Sequence, residues 1–301
     1  MKLPHIIVLL GPTASNKSKL GELLHEKIPS SKIVNFDAFQ IYKEMNIGTA
    51  KPSRKELNKG YYYFYDYLDI TQDNNIYFYQ ELARNFIDSN KDSTLIFIGG
   101  SGLYIKAALF NYIFSKDEIK MPSDYKSNYS NEELFKELEK LDLEASKKIH
   151  VNNRKRLLRS LFINEVEGKN KSEINQNKSN ELLYLDTDFI FINPKRSDLY
   201  SNINLRVEKM KELGLKEEAL NLLNKYKSIN PLALSAIGYK EFNYLINNTL
   251  TEEEVFELIK KNTRNYAKRQ ITFFKHQFPT YKEYASYLEA FESLKKEYDL
   301  N

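Results

Sequence analysis

IIVLLGPTASNKSKLGELLHEKI, residues 6–28, decides the fold of this chain. Ile6 to Leu10 is short, apolar and rich in β-branched residues, the pattern of a strand covered on both faces. Gly11 breaks the run, and from about Lys17 the apolar residues Leu20, Leu23, Leu24 and Ile28 recur at helical spacing, so one stripe of a helix is buried. Between strand and helix, GPTASNKS from Gly11 to Ser18 follows the phosphate-loop pattern GxxxxGK-(Ser or Thr), except that Asn16 stands at the second glycine. In such a turn, successive backbone N–H groups and the helix N-terminus surround phosphate oxygens; Lys17 adds a mobile positive charge and the Ser18 hydroxyl is available to magnesium. Gly11, Thr13, Ala14, Ser15, Asn16, Lys17 and Ser18 are therefore the candidate phosphate-binding residues. Asn accepts positive φ more readily than other non-glycine residues, so Asn16 is expected to be left-handed.

Further strands follow at Lys32 to Phe36, ending at Asp37, and at Ser93 to Ile98, which runs into GGSGLYIKAALF, a glycine turn followed by a helix. Phe189 to Ile192 is another. Buried strands alternating with helices predict a P-loop NTPase-like parallel sheet flanked by helices, with loops gathered at the strand C-terminal ends. The strand Leu95 to Ile98 leads into Gly99-Gly100-Ser101-Gly102, where a nucleotide hydrolase would place a carboxylate for magnesium. That turn suits the close approach of a second ligand.

The C-terminal half is helix-rich. Leu199, Ile203, Val207 and Met210 mark one buried face, and Thr251 to Glu254 reads as a capping box opening a long helix. On that helix Lys260, Arg264 and Lys268 repeat every four residues, a basic stripe suited to an RNA backbone. Arg154, Lys155, Arg156 and Arg159 form a second basic cluster. Residues 115–141 read as a small helical insertion, with a helix near Glu132 to Leu141; 1–114 and 142–278 read as the core with helical RNA-binding elements, and 279–301 as a tail. Lys169 to Asn180 is polar and reads as a loop.

The 301 residues carry 42% hydrophobic side chains, enough for a packed core and roughly two domains at about 150 residues each. Cysteine is absent, which excludes disulfides, thiolate metal sites and cysteine nucleophiles, and 4 histidines make a histidine-based metal centre a poor first reading. Net charge is only +4, so RNA binding rests on where the bases sit. No stretch approaches the roughly 20 apolar residues of a spanning helix, and the start has no cleavage pattern of a secretion signal. A cytoplasmic protein without membrane attachment is expected.

Several segments together resemble the tRNA isopentenyltransferase (IPP transferase, tRNA dimethylallyltransferase) family. Its opening GPTASGK-(Ser or Thr) stands here as GPTASNKS; its Asp-x-x-Gln-x-Tyr and IGTAKP segments stand as Asp37 to Tyr42 and Ile47 to Pro52; GGTxLY stands as Gly99 to Tyr104. Ile149 to Leu161 resembles its IHPNDxxRxxRAL run, with Asn153 for the usual aspartate, and AIGYKE and TRxYAKRQxTWF stand as Ala236 to Glu241 and Thr263 to Phe274. The resemblance implies transfer of the dimethylallyl group of dimethylallyl diphosphate to N6 of adenosine 37 in tRNA, with Mg2+ on the diphosphate. It implies that Asp37 is the general base, that Ser101, Lys17 and Arg206 complete the catalytic set, and that the Gly11–Ser18 residues named above hold diphosphate, with Ser18 toward the metal. It places tRNA on Asp37, Ala38, Phe39, Gln40, Lys51, Arg156, Leu157, Leu158, Arg159, Ser160, Arg264 and Lys268, with the insertion clasping the anticodon stem-loop and Gln40 reading the base. The expected partners are tRNA and dimethylallyl diphosphate, and the expected state is a monomer. A phosphate-loop kinase of small molecules accounts for Lys17 and Ser18 but not for GTAKP, GGSGLY and YAKRQ together. A non-catalytic tRNA-binding protein is the alternative raised by Asn16 and Ser101.

Overall fold

The computed structural model describes residues 5–112, 121–122, 124–168, 170, 181–278 and 280–300. It divides into two compact units, one of residues 1–109 and 184–301 and the other of residues 110–183.

In the first unit the strands are β1 (Ile6–Leu10), β2 (Lys32–Asn35), β3 (Tyr62–Tyr63), β4 (Leu95–Ile98), β5 (Thr187–Ile192) and β6 (Lys282–Tyr284). They form one sheet in the order β3-β2-β4-β1-β5-β6, with every neighbouring pair parallel. Its helices are α1 (Lys17–Lys27), α2 (Arg54–Leu57), α3 (Ile76–Asp88) and α4 (Gly102–Leu109) in the first half of the chain. The second unit holds α5 (Asn131–Leu141), α6 (Leu143–Ser146) and α7 (Arg154–Glu167). The first unit resumes with α8 (Arg196–Glu212), α9 (Leu215–Lys225), α10 (Phe242–Ile246), α11 (Glu252–Gln277) and α12 (Tyr287–Glu297).

All five residues of β1 are fully buried, as the apolar run predicts for a central parallel strand. Ile7 and Leu9 pack with Leu20 and Leu24 of α1, Ile96 and Ile98 of β4, and Ala290 and Leu294 of α12. A second core gathers Ile41, Tyr42 and Met45 with Val207, Leu215, Tyr239, Phe242 and Phe256. This core anchors the loop after β2 to the helices of the C-terminal half.

Two expectations about boundaries change. Of the expected tail, 279–301, the described residues 280–300 are folded: β6 adds a sheet strand, α12 packs on α1, and Lys282 and the Tyr298 hydroxyl both bond Asp188 of β5. The second unit is also wider than 115–141, because α7 folds onto α5: Leu134 and Leu138 share a core with Leu157 and Leu161. Asn153 still caps α7 in place of an aspartate, its side chain accepting the Arg156 N–H. Of Lys169 to Asn180, all but Asn170 lies outside the described residues.

Candidate active site

β1, β4 and β2 lie side by side, so the loops leaving their C-terminal ends converge. After β1, Gly11 lets the chain press against β5: a Cβ there would stand 2.6 Å from the Ile192 carbonyl oxygen. Ala14 and Asn16 are both left-handed, with φ of 62° and 63°, so Asn16 takes the conformation expected of it. The Lys17 side chain curls over this loop and donates to the Pro12 carbonyl at 2.6 Å. Burial first, and then the Arg206 charge, lower the Lys17 pKa from 10.5 to about 7, against an opposing pull from Asp37. Ser18 is exposed in the first turn of α1.

The second loop begins two residues past β2, at Asp37. Fully buried Asn35 holds that residue by its backbone, accepting the Asp37 N–H at 2.9 Å and donating to the Asp37 carbonyl at 3.3 Å. The carboxylate divides its work. Oδ1 accepts the N–H groups of Phe39 and Gln40 at 2.9 and 3.4 Å, forming the turn. Oδ2 faces the third loop, 3.4 Å from where a Cβ on Gly100 would stand. Gly99 allows this approach, since a Cβ there would lie 2.7 Å from the Asp37 nitrogen. Ser101 joins the two loops, its Oγ accepting the Ala38 N–H at 3.0 Å, which leaves its own proton to donate. Arg206 of α8 donates to the Thr49 carbonyl at 3.3 Å; burial lowers its pKa and the nearby Asp37 charge opposes this. Asp37, Ser101, Lys17 and Arg206 thus gather at one end of the sheet.

The sites expected to meet RNA separate into outward and inward groups. Lys51 points inward: its side chain is 1% exposed, and its ammonium is bound by Asp66 and the Tyr42 carbonyl. The amide of Gln40 donates to the carbonyls of Thr49 and Ala50 at 2.9 and 3.2 Å, so its N–H groups brace the GTAK loop. In the second unit, Leu157 and Ser160 are core residues, Leu158 packs against that core, and Arg156 is exposed. Arg154 is drawn inside, donating to the carbonyls of Lys126, Ser127 and Tyr129. On α11, Lys260 is paired with Glu208 and Glu257, and Arg264 donates to Asn204 Oδ1 at 2.7 Å. Lys268 is exposed beside a cavity of about 320 Å³ that Arg196 and Tyr200 also line.

Three functions of the C-terminal half escape sequence reasoning. Glu218 of α9 accepts the N–H groups of Ile47 and Gly48 at 2.9 and 3.1 Å and the Tyr239 hydroxyl at 2.6 Å. AIGYKE therefore supports the IGTAK loop, and Gly48 is glycine because a Cβ would meet the Tyr239 ring at 2.5 Å. Tyr266 and Gln270 of α11 reach the loops after β1 and β4.

Residues 40–277 match the family profile described as IPP transferase. A tRNA dimethylallyltransferase of Malacoplasma penetrans is 38% identical over 97% of this chain and 96% of that protein. Among solved structures, a tRNA delta(2)-isopentenylpyrophosphate transferase of Staphylococcus epidermidis superposes with a TM-score of 0.69 at 30% identity, covering 98% of this chain and 99% of that one. A eukaryotic dimethylallyltransferase captured acting on tRNA superposes with a TM-score of 0.79 at 25% identity, over 96% of this chain and 77% of that one.

Proposed function

Because this chain belongs to the IPP transferase family, we propose that it transfers the dimethylallyl group of dimethylallyl diphosphate to N6 of adenosine 37 in tRNA, acting as a cytoplasmic monomer. Among the described residues no helix is long and apolar enough to cross a membrane. The observation that carries the reading is the placing of a carboxylate oxygen, Asp37 Oδ2, across the Gly99–Gly100–Ser101 turn from a phosphate loop whose lysine is buried. A kinase also uses a carboxylate to take the proton of a substrate hydroxyl; the match to the IPP transferase profile over residues 40–277 is what favours the transferase over it.

The adenine amine is a poor nucleophile because its lone pair is delocalised into the ring. As N6 attacks the allylic carbon, the carbon–oxygen bond to diphosphate breaks, and Asp37 Oδ2 takes the amine proton. Lys17, Arg206 and the loop N–H groups meet the charge that develops on the leaving oxygen. Ser101, whose Oγ accepts the Ala38 N–H, offers its hydroxyl proton to the diphosphate or to the amine in this reading. Magnesium keeps several waters and takes few protein ligands when it rides on phosphates, so the single exposed Ser18 hydroxyl fits it; when bound, the ion neutralises diphosphate charge. Adenosine 37 reaches the pocket by leaving its stack. Ala38, Phe39 and Gln40 then border the base. Arg264 and Lys268 on α11 are the cations offered to the RNA backbone by the first unit, and Arg156 and Arg159 on α7 those offered by the second; Leu158 packs on the core of its own unit. Lys51, Leu157 and Ser160 serve the fold instead.

The test incubates the protein with magnesium, dimethylallyl diphosphate and unmodified tRNA, then measures the mass of its nucleosides. A prenyl increment on adenosine, lost when position 37 is guanosine, is expected. Phosphate transfer from ATP, or tRNA binding with no increment, would overturn the reading.

A further inference from the structure

The β1–β4 ladder ends at the Leu9–Ile98 pair. Beyond it, side chains set the spacing between the phosphate loop and the Gly99–Ser101 turn. Gln270 does this most directly. It is 4% exposed, on the inner side of α11, and both ends of its amide are engaged. The Thr13 N–H donates to its Oε1 at 2.9 Å, and its Nε2 donates to the Gly100 carbonyl at 2.9 Å. One helical turn earlier, the Tyr266 hydroxyl reaches the same carbonyl at 3.4 Å. A Cβ on Gly100 would stand 2.3 Å from the Gln270 nitrogen, so any larger residue there would push the amide out of this place. The next residue, Ser101, holds Ala38, and Ala38 follows Asp37. One path of hydrogen bonds and single peptide links therefore runs from the phosphate loop to the carboxylate.

Resting on the transferase reading above, we propose that Gln270 is a positioning residue that fixes the distance and line between diphosphate on the phosphate loop and the amine at Asp37. It does no chemistry of its own. The amide suits the task because one end accepts and the other donates; an ionised glutamate accepts at both ends, and leucine does neither. Transfer needs the reacting atoms about 3–3.5 Å apart and aligned, and a displacement near 1 Å costs roughly 10²-fold.

The experiment compares the parent, Gln270→Leu and Gln270→Glu as full chains in thermal melting, tRNA binding, inorganic diphosphate binding and single-turnover transfer at saturating substrates between pH 5.5 and 8.5. For Gln270→Leu, transfer should fall roughly 10- to 100-fold while tRNA affinity stays within about two-fold. For Gln270→Glu, the rate relative to the parent should rise as pH falls, because the protonated carboxyl regains a donor for the Gly100 carbonyl while still accepting from Thr13. A packing role alone gives no such recovery. Transfer by Gln270→Leu within two-fold of the parent, or a pH-independent deficit in Gln270→Glu, would overturn the proposal. Should Gln270→Leu fail to fold, the pH response of Gln270→Glu decides. A parent without transfer activity would refute the transferase reading itself, an outcome distinct from these.

Discussion

Lys17 should make diphosphate binding proton-linked. Burial first, and then the Arg206 charge, lower its pKa to about 7. A diphosphate beside it supplies the missing counter-charge and returns the lysine to its protonated form. Binding above pH 7 therefore takes up a proton. If the anion keeps Lys17 charged through the range, the dissociation constant rises about 16-fold, or about 1.6 kcal/mol, between pH 7 and 8.5. The stability of the unliganded protein runs the other way: the folded pKa lies below the unfolded value of 10.5, so between about 7 and 10.5 the unfolded chain holds the extra proton and stability increases with pH. Weakened binding in a more stable protein separates this effect from alkaline denaturation. Lys17→Arg is the control, since guanidinium stays charged and the ligand's own titration is common to both proteins. Calorimetry at pH 8 in buffers of differing ionisation enthalpy should report uptake of about 0.9 proton for the parent and little for Lys17→Arg. Removing the second cause, as Arg206→Leu, should raise the Lys17 pKa and move the break in the profile to higher pH. Parallel affinity profiles for parent and Lys17→Arg, or no proton uptake at pH 8, would refute the linkage.

Asp37→Asn keeps the turn-forming acceptor at Oδ1 but lacks a base, so single-turnover transfer should fall on the order of 10²–10⁴-fold while tRNA affinity changes little. At Asn16, whose φ is 63°, Asn16→Gly should be neutral or slightly beneficial. Asn16→Val should cost about 1–2 kcal/mol in a left-handed site, read as weaker diphosphate binding. Lys268→Glu should lower tRNA affinity and flatten its dependence on salt, whereas Lys260→Ala, which loses an ion pair with Glu208 and Glu257, should lower the melting temperature more than the affinity. Deleting residues 282–300 should prevent stable folding, seen as loss of a cooperative melting transition, because it removes β6 and the Ala290 and Leu294 contacts under α1.

The central strands, the left-handed turn between β1 and α1 and the position of Asp37 were legible because each is written in consecutive residues: an apolar run, a glycine turn, a carboxylate at a strand end. The edge strands were not. Tyr62–Tyr63 and Lys282–Tyr284 are two and three residues long, too short for alternation to register, and they are strands only because β2 and β5 pair with them. Lys51 misled for a related reason. Its motif reads as a cation offered to a ligand, but the partner that turns it inward, Asp66, lies 15 residues on. Gln270 and Glu218 are polar residues on helices, ordinarily a sign of a solvent face. Their partners at Thr13, Gly100 and Ile47 are 257, 170 and 171 residues away, and no local pattern carries that information.

β1 is synthesised long before the strands that flank it, which begin at Leu95 and Thr187. At about 5–20 residues per second, the gap from Leu10 to Thr187 lasts roughly 9 to 35 seconds. IIVLL therefore has neither neighbour until Leu95–Ile98 is made and only one until Thr187–Ile192 follows, and a β-prone apolar segment with an open edge is a point for aggregation and for capture by chaperones. Pairing across such separations is also intrinsically slow. The loop after β1 inherits this delay: Gly11 lies close against Ile192, and the Thr13 amide waits for Gln270. A ribosome-bound chain short of α11 carries the complete GPTASNKS sequence and still lacks the contacts that give the loop its shape.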